Sequence, residues 1–142
     1  MRLLAFLCLL PTSLHAWEFT PGLPCRLGHA TADAAIELTY DPTQPFYTVT
    51  VTRTAPWPQT EGFQMQFTGP QARRIGTNRH QLSEDRRSLM VADTGFGNLL
   101  DGLQFNDTTT AIAGDITVTF PLDGIAEPLA AFRACDPAQP LS

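Results

Sequence analysis

Five arginines fall within fifteen residues of this chain: Arg73, Arg74, Arg79, Arg86 and Arg87, opposed in that stretch only by Glu84 and Asp85. A guanidinium presents five donors in a planar fork, which matches carboxylates and phosphates two bonds at a time. The chain as a whole carries a formal net charge of −5. If segments 72–77 and 88–92 pair as strands, the arginines become one basic face on an acidic protein. An anionic partner follows from that chemistry: a lipid head group, a surface glycan or an acidic protein of the cell envelope. The bland alternative is a charged hairpin, whose exposed ion pairs each contribute little. Trp57, held between Pro56 and Pro58, is a candidate aromatic contact, because a rigid indole can stack on a sugar or a partner surface. Large aromatics are mostly buried, so the favoured reading makes Trp57 a plug at the end of a core.

Catalytic arrangements are sparse. Asp93-Thr94-Gly95 after Val91-Ala92 imitates the start of an aspartic-protease motif, but that chemistry needs two aspartates sharing a proton. Phe96 also stands where that motif has a small residue, and a strand running into a turn explains the same letters. His29 and His80 are the only histidines beyond residue 16, and Ser83 and Ser88 the only internal serines there. Neither serine lies in G-x-S-x-G, and spacing brings no nucleophile, base and orienting group together. Asp93, Asn98, Asp101, Asn106 and Asp107 could offer oxygens to calcium, without the spacing of a calcium loop. No metal or other cofactor is expected. All nine basic residues are arginine, so a Walker A lysine, a Schiff base and a lysine general base are excluded.

The residues before Trp17 read as an export signal. Arg2 precedes an apolar run of eight, Leu3 to Leu10, and Pro11 and Ser13-Leu14-His15-Ala16 lead to cleavage after Ala16. Eight apolar residues are too few for a bilayer, which needs about 20. No later segment is apolar enough, so no membrane span is expected after signal removal. Loss of Arg2 takes the net charge to −6, and an acidic chain repels phosphate backbones, which disfavours nucleic acid. Residues 17–142 are one domain's worth.

Cleavage leaves two cysteines, Cys25 and Cys135. In an oxidising compartment two thiols in a small domain read as a structural bridge, with one connectivity available. Closing so long a loop is worth about 4–5 kcal/mol in the chain-entropy model. A redox pair or a zinc site would need C-x-x-C or four clustered ligands instead.

The elements that must position these groups are mostly strands. Ile36, Leu38 and Tyr40 alternate with polar residues; Tyr47, Val49 and Val51 do so within 46–54, and Phe63, Met65 and Phe67 follow. Shorter strands are expected over 72–77 and 88–92, and a hairpin around Gly114-Asp115. Phe96, Leu99, Leu100 and Leu103 instead follow a helical period, as do Ile125, Leu129 and Phe132, with Asp123 as N-cap, Pro128 in the first turn and Pro137 beyond the end. The expected fold is a single antiparallel β-sandwich or barrel-like domain. A short C-terminal helix is tied by Cys135 to the first strand.

WEFTPGLPCRLGHAT, TVTRTAPWP, ADTGFGNLLDGLQFN and FPLDGIAEPLAAFRAC together resemble a group of uncharacterised small exported proteins of alphaproteobacteria, over nearly all of the chain after the signal. Some of these carry the label of an excinuclease ABC component. That label implies part of an ATP-driven DNA-repair helicase, which a signal-bearing acidic chain with no Walker A motif contradicts. The last forty or so residues, a strand ending in Leu-x-Gly before a short helix and a cysteine, more loosely resemble the invasion-associated locus B proteins. The expectation is a periplasmic or secreted binding or structural envelope protein without catalysis; the rival is a hydrolase with a dispersed site.

Overall fold

The structure, a computed structural model, describes residues 16–135. The signal segment ahead of Ala16, and Pro137, lie outside the described residues. In chain order the strands are β1 (Glu18–Thr20), β2 (Cys25–Ala30), β3 (Ala34–Asp41), β4 (Phe46–Arg53), β5 (Phe63–Thr68), β6 (Arg73–Thr77), β7 (Gln81–Leu82) and β8 (Ser88–Asp93). Helix α1 (Gly97–Gln104), β9 (Thr108–Ala113), β10 (Ile116–Pro121) and α2 (Ala126–Arg133) complete the fold.

Two antiparallel sheets face each other across one core. One has the order β1-β2-β3-β4-β8-β7 and the other β10-β9-β5-β6. The period-two alternation fixes which residues meet inside. Leu38 lies opposite Val49, and Val49 opposite Val91. In the other sheet Phe67 lies opposite Thr109, and Met65 opposite Ala111. On the outer face Thr39 meets Thr48 and Thr110 meets Thr119 through their hydroxyls. The expected hairpin is present: Ala113 pairs with Ile116, and Gly114, at φ +61°, supplies the left-handed residue that so tight a turn needs.

Both sides of the sandwich need closing, because each sheet has free edges. On one side Trp17, just before β1, donates its indole N–H to the Pro121 carbonyl at 2.8 Å, joining β1 to the end of β10. Trp57 lies fully buried in the β4–β5 crossover. Its indole N–H reaches the Val51 carbonyl at 3.0 Å, its backbone N–H reaches the Arg86 carbonyl at 2.7 Å, and the Arg53 guanidinium lies 5.1 Å over its ring. The candidate aromatic contact at Trp57 is therefore corrected. A buried ring cannot stack on a partner, and the residue is a plug.

The far end of the sandwich is sealed by the helices. Phe96, Leu99, Leu100 and Leu103 put the apolar face of α1 into the core. Gly102 lets α1 sit directly on Phe67, where a Cβ would come within 2.6 Å of the ring. Helix α2 buries Leu129 and Phe132 and packs against β1, β2 and α1. Its N-cap is Ile125, with no side-chain cap, rather than Asp123. Pro128 is in the first turn as expected, where its missing N–H costs nothing. The Cys25–Cys135 disulfide clamps the chain just beyond α2 to the start of β2. The clasp holds the second strand rather than the first, because the short segment after Trp17 forms a strand of its own.

Candidate functional site

The arginine cluster does not survive as one face. Segments 73–77 and 88–93 do form strands, but β6 pairs with β5 in one sheet while β8 pairs with β4 and β7 in the other. Arg86 and Arg87 occupy the β7–β8 turn, at the end of β8 where Ser88 meets Thr52. Their backbone explains them better than their charge does. Arg86 adopts φ +60°, and the carbonyls of Arg86 and Arg87 accept from Trp57 and Arg53. Asp85 organises the same turn by accepting from the Ser83 hydroxyl and the Arg87 backbone N–H. These bonds, the Ser83 one foremost, hold its pKa below the ordinary carboxylate value of 3.8. Arg74 points outward from β6 and bonds Gln66 at 2.7 Å. Arg73, at the start of β6, borders a shallow surface recess with Gln71 and Asn98. Arg79 is different: it lies at the margin of a gap between the sheets.

That gap is a cavity of about 550 Å³, opening between β6, β8 and the start of α1. Strand parity explains its lining. Ile75 lies opposite buried Met65 and Thr77 opposite buried Phe63, so both face inward from β6. Val91 lies opposite buried Val49, and Asp93 opposite Tyr47, so these face inward from β8. Ile75 and Val91 are only partly buried, and both line the cavity. Phe96 and Leu99 of the α1 segment complete the apolar wall.

At the mouth the chemistry turns polar. Arg79 approaches Asp93 at 3.9 Å, with side-chain exposures of 78% and 46%. This contact links the loop after one sheet to the last residue of a strand in the other. Asp101, also on the wall, is held by Arg133 at 2.8 Å. The Arg73 guanidinium donates to the Asn98 carbonyl at 3.4 Å. Comparison with protein-family models, curated proteins and solved structures finds no match.

The remaining chemical candidates are placed apart or already engaged. Ser83 donates to Asp85, and Ser88 shares a bond with Thr52. His29 stacks on Trp17 at 5.2 Å, whereas His80 lies beside Phe63. The Asp93 carboxylate accepts from the Thr94 backbone N–H at 2.7 Å, which is turn chemistry. Of the proposed calcium oxygens, Asp101 is ion-paired, and Asn106 is buried and spent on the backbone of Gln71 and Gly102. Among the described residues no three His, Cys, Asp or Glu side chains are grouped as a metal site. Also among them, no helix is long and apolar enough to cross a membrane.

Sequence reasoning missed the cleft itself. The signal available was the pair of glycines around Phe96, Gly95 and Gly97, which border it. An added Cβ at either meets nothing within 4 Å, so this segment leaves space where bulkier residues would close it.

Proposed function

We propose that this chain is an exported binding domain that takes a small, mainly apolar molecule into the cleft between its two sheets. One observation carries the reading: a cavity of about 550 Å³ whose lining joins apolar Met65, Ile75, Val91 and Phe96 to charged Arg79 and Asp93. Ligand sites have this form and a volume of roughly 300–1,000 Å³. The lining contains no Ser, Cys or His, so binding fits it better than nucleophilic catalysis does. Export is supported by the Arg2–Ala16 signal pattern and by the Cys25–Cys135 bridge, which persists in oxidising compartments. The resemblance to small exported proteins of alphaproteobacteria points the same way, to a periplasmic or secreted protein.

The test is native mass spectrometry on protein recovered from a bacterial periplasm. The wild type is expected to carry an adduct of small-molecule mass. Val91→Trp, which fills the cleft from the β8 side, is expected to lack it while folding normally by circular dichroism. Adducts retained at equal occupancy in Val91→Trp would overturn the assignment to the cleft. An unadducted wild type that also fails to enhance the fluorescence of an apolar dye would overturn the binding reading.

A further inference from the structure

We propose that the occupant of the cleft is an amphiphile with one apolar chain and a carboxylate head, the chain lying between β6 and β8 and the head on the Arg79 guanidinium; this rests on the cleft being a binding site. Ile75, Val91, Phe96 and Leu99 offer the chain apolar contacts along a cavity that is already formed. A pre-formed wall spares the bound state much of its ordering cost.

Charge at the mouth decides the head. Asp101 is neutralised by Arg133 at 2.8 Å. Asp93 approaches Arg79 only to 3.9 Å, beyond hydrogen-bond length. Arg79 therefore keeps its fork of donors open towards the mouth. With Asp101 engaged elsewhere, Arg79 is the cationic group of the lining. Asp93 itself marks where an acid docks: a ligand carboxylate entering the fork would take the place its carboxylate now occupies loosely. A planar carboxylate fits one guanidinium with two parallel bonds.

Calorimetry with three ten-carbon probes below their micelle concentrations tests this: decanoate, decanol and decyltrimethylammonium. Decanoate is expected to bind about tenfold more tightly than decyltrimethylammonium, the scale of a partly exposed charge-assisted hydrogen bond. Arg79→Gln is expected to erase the advantage of decanoate over decanol and to leave decanol unchanged. Asp93→Asn keeps the acceptor for Thr94 and removes the competing charge, so decanoate is expected to bind about threefold more tightly there. Equal binding of all three probes, unaltered by Arg79→Gln, would overturn the head-group assignment and leave the cleft standing as an apolar site. Tighter binding of the cation would overturn it too, by making Asp93 the head-group residue. Binding of none of them would overturn the cleft reading on which the proposal rests.

Discussion

Gly102→Ala and Gly97→Ala are the same substitution in the same helix, and only the first is expected to destabilise the fold. At Gly102 a new methyl would stand 2.6 Å from ring atoms of Phe67. Phe67 is fully buried between Thr109 and Arg73 in its sheet, so its ring has no solvent to swing into. Overpacking of this kind costs about 1–3 kcal/mol. Replacing an interior helical glycine by alanine returns about 1 kcal/mol through backbone entropy. Three ring atoms at 2.6–2.7 Å put the clash in the upper part of that range, so it wins and leaves a net loss of up to about 2 kcal/mol. With a urea dependence of about 1–3 kcal/mol per molar, the unfolding midpoint should fall by roughly 0.5–1 M. At Gly97 an added Cβ meets nothing within 4 Å, so only the entropy term acts and the midpoint should stay or rise slightly. The two urea curves, followed by far-ultraviolet circular dichroism, decide it. A Gly102→Ala midpoint at or above the wild type would refute the direct seating of α1 on Phe67. Because Leu99 and Asp101 line the cleft from the same helix, the displaced α1 should also weaken ligand binding.

Reduction of Cys25–Cys135 is expected to lower stability by up to about 4–5 kcal/mol, with amide exchange in α2 accelerating before exchange in β3 and β4; uniform acceleration would contradict a clasp on the terminal helix. Trp57→Phe should cost about 2–3 kcal/mol, since the Val51 carbonyl loses its buried donor and the core loses volume; a neutral effect on the urea midpoint would argue against the plug. Asp85 has a folded pKa below 3.8, so the support it gives the β7–β8 turn is complete above that value and is lost as pH falls through the lowered one. Nuclear magnetic resonance titration of Asp85 should show that depression in the wild type and a smaller one in Ser83→Ala. Neutralising Arg86 and Arg87 together is expected to leave cleft binding unchanged in the calorimetric assay, because their turn lies at the far end of β8 from Asp93.

The strands were legible wherever apolar residues alternate cleanly. Ile36, Leu38 and Tyr40, or Phe63, Met65 and Phe67, leave one face no choice but the core. The cysteine pairing followed from having two candidates, and Trp57 from the tendency of large aromatics towards burial. β1 and β2 were less legible because Gly28, His29 and the prolines around them interrupt the alternation. The arginines misled for a physical reason. Arg73 and Arg87 fall within one fifteen-residue stretch, yet the loop from β6 to β7 crosses from one sheet to the other, and local spacing carries no record of sheet membership. The cleft was not legible because it is a property of what two sheets fail to fill, visible only once Ile75 and Val91 are known to line one cavity bordered by Gly95 and Gly97.

Methyl and amide shift mapping of the isotope-labelled protein during titration with decanoate tests most directly whether the gap between the sheets is a binding site. A cleft site places the largest shifts on Ile75, Val91, Leu99 and the backbone of residues 93–97, saturating with one ligand per chain. Shifts scattered over the exposed apolar residues Leu23, Phe46 and Phe105, without saturation, would contradict it.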